Sequence, residues 1–276
     1  MNMQGNIRTM LKRRLAIAVV VAATLGASTG IGQAADFSAG WQAYQRGDFG
    51  GAMAEWKPLA ESGDVRAQFN LGVMYDEGRG VAADPTMAIS WWKKAAQQGD
   101  AMAQHNIAQA YITARGVDRN YDEAVLWLEK AAGQKLVRSQ YTLGKMFGYG
   151  LGVEKNSARS FKWILAAGES GFDKAQYNLG KMYRDGRGTA KNLKEAARWF
   201  MAAASQGYAQ AQHHIGVRLA RGEGIEKNAV EALKWMILSD RAGYRKAASK
   251  AENMRASLSA DQAEEAKRLA DSWRAK

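Results

Sequence analysis

The chain repeats itself every 36 residues, and few folds accommodate that. Ala67, Ala103, Ser139, Ala175 and Ala211 open five copies of one pattern. Leu71, Ile107, Leu143, Leu179 and Ile215 fill one column of it, and Tyr75, Tyr111, Phe147, Tyr183 and Leu219 the next. Trp91, Trp127, Trp163, Trp199 and Trp235 fill a third. A fixed period in the 20–50 residue range is the mark of stacked supersecondary units. Each unit then buries its apolar face on its neighbours rather than in one central core.

Each copy reads as two helices. In the fourth, Ala175, Leu179, Met182 and Tyr183 fall at i, i+4, i+7 and i+8, one apolar stripe at helical spacing. Gly186-Arg187-Gly188 stops that helix, and four copies carry the glycine pair; the exception is Ala114-Arg115-Gly116. The second helix opens at a polar cap, Asp84, Asn120, Asn156, Asn192 or Asn228, whose side chain can accept from free backbone N–H groups. Pro85 sits just inside the first of these caps, where its missing N–H costs nothing. Glu123, Glu195 and Glu231, three residues past their caps, predict capping boxes. The second helix ends at Gly99, Gly171, Gly207 or Gly243, whereas Lys135 stands at that place in the second copy and predicts an irregular junction.

The combined pattern, A-x-x-x-L-G-x-x-Y-x-x-G-x-G-V…A-x-x-W-x-x-A-A-x-x-G, resembles the Sel1-like repeat, a relative of the tetratricopeptide repeat. The resemblance covers about 180 residues, with residue type and spacing both kept through five copies. It implies an all-α fold, a right-handed superhelical solenoid of helix pairs with a concave inner face. It also implies a scaffold or adaptor for other proteins; a minority of such proteins are linked to hydrolase activity or to cell-wall binding.

The ends of the chain depart from the pattern. Residues 1–35 hold a basic stretch to Arg14, an apolar run from Leu15 to Leu25 and a small-residue segment ending Gln33-Ala34-Ala35. That is the layout of a secretory signal peptide, with cleavage expected near Ala34 or Ala35. The apolar run is about half of the ~20 residues a membrane span needs, so no stable span is expected after cleavage. Its form points to a bacterial periplasm. Residues 36–66 read as an N-terminal capping half-repeat, 67–246 as five repeats of 36, and 247–276 as C-terminal capping helices. Ser259 and Gln262 predict a capping box for the last of these.

Composition removes several kinds of chemistry. There is no cysteine, so a disulfide framework, a thiol nucleophile and a thiolate zinc site are all excluded. This also separates the chain from the disulfide-rich members of the repeat family that the resemblance ties to β-lactam chemistry. Net charge is +12, and Arg8, Lys12, Arg13 and Arg14 are the charged residues of 1–35, leaving +8 from residue 36 onward. Export and the mixing of bases with acids along the helices argue against nucleic acid and for an anionic cell-wall polymer or an acidic protein face.

No catalytic, cofactor or metal constellation emerges. His105 and His213 share a column three repeats apart, and His213 and His214 diverge around a helix, whereas a metal needs three or four converging ligands. Ser90-Trp91-Trp92-Lys93 fits S-x-x-K, but neither S-D-N nor K-T-G accompanies it. Gly148 to Gly152 follows no strand, so a dinucleotide loop is excluded.

By the resemblance, first-helix residues two before and two after the Leu column face the groove. The first set is Phe69, His105, Tyr141, Tyr177 and His213, and the second includes Lys145 and Lys181; Tyr149, Arg184 and Arg221 adjoin them. Rings and cations in a concavity suit an extended segment carrying carboxylates. Packing of the same rings between adjacent repeats is the competing expectation. The reading is a non-catalytic periplasmic scaffold holding a protein partner in that groove, in envelope signalling or secretion. The alternatives are a peptidoglycan or glycan binder and, behind it, a hydrolase of β-lactams or cell wall.

Overall fold

A computed structural model describes residues 35–275, all helix and loop, so the expected signal peptide lies, but for Ala35, outside the described residues. The helices come in pairs. They are α1 and α2 (Phe37–Gln45, Phe49–Glu61), α3 and α4 (Val65–Glu77, Pro85–Gln97), and α5 and α6 (Ala101–Thr113, Tyr121–Gly133). Then follow α7 and α8 (Val137–Tyr149, Ser157–Glu169), α9 and α10 (Asp173–Asp185, Leu193–Ser205), and α11 and α12 (Ala209–Arg221, Ala229–Arg241). Two shorter-period helices close the chain, α13 (Ala248–Ala256) and α14 (Ala260–Ser272). The chain divides within α6 into two compact units, one through Lys130 and one from Ala131.

In the first unit, Trp56, Leu71, Met74 and Trp91 form one apolar cluster, and Val73, Ile89, Trp92 and Ile107 the next. In the second unit, Ile164, Leu179 and Trp199 form one cluster, and Phe200, Ile215, Leu233 and Met236 another. The second unit ends with α14 packed on α12, where Trp273 meets Trp235 edge-on at 6.1 Å and Arg241 pairs with Asp271 at 2.6 Å.

Helix ends follow the sequence closely. Asp84, Asn120, Asn156, Asn192 and Asn228 each accept from the backbone N–H three residues on, at 2.9–3.0 Å. Only half of the expected capping box forms at Asn120, Asn192 and Asn228. Their own N–H groups are already spent on the Tyr111, Tyr183 and Leu219 carbonyls, so the glutamates have nothing to reach back for. Glu195 and Glu231 instead pair with Arg198 and Lys234. The Ser259–Gln262 box closes in both directions. Lys135 adopts the left-handed backbone (φ 64°) that Gly99 and Gly171 adopt at the same place, so the junction expected to be irregular keeps the turn.

Two columns explain how the helices approach. The glycine after the Leu column lies against the following helix: an added Cβ at Gly72 would sit 2.3 Å from the Trp92 ring, and at Gly180 2.7 Å from Phe200. Behind it, a buried glutamine in every repeat donates to a carbonyl eight residues earlier. Gln68 reaches Ala60 at 3.0 Å, Gln104 reaches Ala96 at 3.2 Å, and Gln176 reaches Gly168 at 3.2 Å. Each bond ties the start of one repeat to the end of the one before, adding a second donor to a carbonyl that already accepts from the turn glycine (Gly63, Gly99 or Gly171).

Candidate functional site

The expected groove positions separate by depth. In the first unit Phe69 and His105 are buried, and the Phe69 carbonyl accepts from Trp92 Nε1 (3.2 Å). In the second unit the same column forms seams between successive repeats. Tyr141 meets Phe172 edge-on at 5.1 Å, Tyr177 meets Tyr208 at 5.1 Å, and His213 meets Tyr244 at 5.2 Å. Asn178 Nδ2 donates to the Tyr141 hydroxyl (3.1 Å) and to the Lys174 carbonyl (2.7 Å). Burial drives the Tyr141 hydroxyl well above the usual tyrosine range, and burial with Tyr244 and Tyr208 pushes Tyr177 up to about 12. These rings pack between repeats before they present anything to solvent.

The seams have a cause in the helix caps. In the first unit α3 and α5 open on Asp64 and Asp100, each accepting from the N–H three residues on. In the second unit α7, α9 and α11 open on Leu136, Phe172 and Tyr208, with no side-chain cap. The cap, worth about 1 kcal/mol, is given up. At Phe172 and Tyr208 a ring takes its place and packs on the preceding repeat.

The exposed part of the site is a cationic row on α7, α9 and α11. Tyr149 is 45% exposed, and Lys145 Nζ donates to its hydroxyl (2.8 Å) while lying 4.5 Å from its ring centroid. Burial alone would raise that hydroxyl, yet Lys145, with Lys181 and Arg187 beyond it, holds it below the usual range. Lys181 is half-buried, 5.4 Å from the Tyr177 ring, and burial together with Arg187, Lys145 and Arg184 holds its ammonium below the usual lysine range. Arg184 bonds Asp185 at 2.5 Å, Arg187 approaches Asp185 at 3.5 Å, and Arg221 meets Glu223 at 3.2 Å.

Beneath this row lies a group that the groove columns did not single out. The His214 ring stacks on Phe200 at 4.9 Å, and Tyr177 lies 5.9 Å from Phe200 and 5.7 Å from His214. The Arg218 guanidinium covers Phe200 at 4.6 Å, and its Nη1 donates to the His214 carbonyl (3.1 Å). Burial, then Arg218 and its neighbours, brings His214 down to about 3; burial, then Lys250 and Lys246, brings His213 to about 4. The signal was present in the sequence: Arg218 interrupts a column that reads Met74, Ala110, Met146 and Met182 elsewhere.

Ser90 and Lys93 are exposed on α4. No group of three metal-ligating side chains occurs among the described residues. No helix there is long and apolar enough to cross a membrane.

Five segments, 65–100, 101–135, 137–172, 173–208 and 209–243, match the Sel1 repeat family. The chain belongs to the Sel1 repeat family. A Sel1 repeat protein from Oxalobacter formigenes is 30% identical and superposes with a TM-score of 0.70, over 78% of this chain and 86% of that one. A protective antigen of uropathogenic Escherichia coli strains, c5321, which displays an SLR fold, is 31% identical with a TM-score of 0.78 over 84% of this chain. The Sel1 chain described here spans 53% of the length of that antigen. No curated protein matches the sequence. Sel1 repeat proteins generally serve as non-catalytic scaffolds for protein interactions.

Proposed function

We propose that this Sel1 repeat chain is a non-catalytic periplasmic scaffold that holds a protein partner against the cationic row of its second unit, in envelope signalling or secretion. The observation that carries the reading is the coexistence on α7, α9 and α11 of an exposed ring, Tyr149, and unequal charge. Toward the C-terminal ends of these helices Lys145, Lys181, Arg184 and Arg221, with Arg187 just past α9, stand against Asp185 and, just past α11, Glu223. Rings beside arginines are the groups that anchor protein interfaces. Residues 1–35 serve as the export signal, and α1–α2 and α13–α14 act as end caps of the array.

The contact residues of this reading are Lys145, Tyr149, Lys181, Arg184 and Arg221. Tyr141, Tyr177 and His213 form the seams of the same unit, and Phe69 and His105 are buried within the first unit. The test is affinity capture from envelope extract with residues 36–276, using Tyr149→Ala combined with Arg184→Ala. Tyr149 is exposed and Arg184 partly so, and the Arg184–Asp185 pair is worth at most about 1 kcal/mol, so folding is spared. A dominant protein lost in the double variant supports the scaffold; capture unchanged by it overturns the surface. Expression of the full chain should yield a periplasmic product whose mass begins at residue 35 or 36.

A glycan reading keeps one observation in its favour, since an exposed ring such as Tyr149 can stack on a sugar. Co-sedimentation with purified sacculi that Tyr149→Ala abolishes would favour it over the protein partner.

A further inference from the structure

Arg218 occupies a column that is otherwise apolar and buried. Met74, Ala110, Met146 and Met182 are 0–7% exposed there, and Arg218 is 3% exposed. Its guanidinium lies on the Phe200 ring and spends Nη1 on the His214 carbonyl; its Nε is buried with no hydrogen-bond partner. Among the described residues Arg218 makes no ion pair. The nearest carboxylates are engaged elsewhere, Asp185 with Arg184 and Arg187, and Glu223 with Arg221.

A buried charge is costly unless it is paired. Arginine has no escape by losing its proton. Burial and the nearby Arg184 and Arg221 work against the Arg218 charge, and Glu223 and Asp185 offset this only in part. A repeat that uses methionine at this place in three of its other copies has here accepted a guanidinium with no carboxylate in ion-pair contact, only Glu223 and Asp185 acting from farther off.

We propose that Arg218 is the floor of a carboxylate subsite, with Lys181 and Arg184 at its rim, that takes an Asp or Glu side chain or a C-terminal carboxylate from an acidic segment of the protein partner. The proposal rests on the scaffold reading for the kind of partner, and on Arg218 alone for the place. The unpaired Nε edge of the guanidinium, buried in the unbound chain, carries parallel donors that match the two oxygens of a planar carboxylate. A tetrahedral phosphate seeks donors converging from several directions, and Nη1 is already committed inward.

The probe is a fluorescein-labelled peptide of six glutamates, read by fluorescence anisotropy against residues 36–276 at fixed salt. Hexaglutamine, a phosphoserine hexapeptide and inorganic phosphate serve as competitors. Saturable binding is expected, at least tenfold weaker in Arg218→Met, with hexaglutamine unable to compete. Arg218→Met introduces the side chain that this column carries in three other repeats, so without peptide its melting temperature should equal or exceed that of the wild type. Equal affinity in wild type and Arg218→Met, or no saturable binding, overturns the proposal. So does stronger competition by the phosphorylated peptide or by phosphate than by unlabelled hexaglutamate.

Should Arg218→Met melt lower, Lys181→Met decides: a folded variant with at least threefold weaker binding upholds the subsite, and unchanged binding removes it. Peptide binding through Arg218 without a Tyr149- and Arg184-dependent partner defeats the scaffold reading alone. A partner that needs Tyr149 and Arg184 but not Arg218 defeats this subsite alone.

Discussion

Lys135 and Ala114 hold left-handed backbone (φ 64° and 57°) where the other repeats place glycine. A side chain in that region costs about 1–2 kcal/mol, partly offset because glycine also loosens the unfolded chain. Lys135→Gly should therefore raise the stability by about 0.5–1 kcal/mol, read as a higher urea midpoint at unchanged slope. The reverse error is Gly180→Ala, whose new methyl meets the buried Phe200 ring; a loss of about 1–3 kcal/mol is expected from the same measurement. Burial holds His213 and His214 at about 4 and about 3, below the ordinary value of 6.5, so both are neutral in the folded chain near neutrality. Their contribution is complete above 6.5 and is lost as pH falls toward 4, where the unfolded chain binds protons that the fold refuses. Urea midpoints should fall between pH 6.5 and 4, and His214→Gln should flatten that slope. At this scale the sequence was legible wherever one residue type has one job, as at Asn156 or Gly186. At Arg218 it showed a break in the column, but a break does not say whether the odd residue turns inward or out.

Between elements, the decisive substitution is of ring for carboxylate at the first-helix cap. Asp64 and Asp100 close their helix ends in the first unit, whereas Phe172 and Tyr208 leave theirs open and pack on Tyr141 and Tyr177. Asp100→Ala should cost about 1 kcal/mol. Tyr208→Asp supplies a cap yet should still lower the melting temperature, because it strips the Tyr177 ring of its neighbour. Helix periods, the second-helix caps and the tight turns were all readable from spacing. The seams were not, because whether a first-helix ring faces water depends on a residue 31 positions later, ahead of the next helix pair. Removing residues 257–276 would strip α14 from α12 and uncover Trp235, and self-association by sedimentation velocity is the expected result.

At the scale of the whole molecule, stability is local. Repeat arrays sum nearest-neighbour terms rather than melting as one body, and each compact unit here has its own clusters. Gly180→Ala should accelerate amide exchange in α9 and α10 while leaving α3 and α4 unchanged, as hydrogen–deuterium exchange would record. Family and fold were legible in the chain because five copies vote on every position. The partner was not, since a surface chosen for another molecule leaves no period behind. The pairing of Tyr141 with Phe172, Tyr177 with Tyr208 and His213 with Tyr244 also sets a rule for how such a chain can lengthen. Copying a repeat inside the ring-capped half brings along both halves of the match. Moving in a repeat from the aspartate-capped half delivers a carboxylate against a ring that expects another ring. Growth by duplication is thus free within each half and penalised across the two, so the chain behaves as two dialects of one repeat.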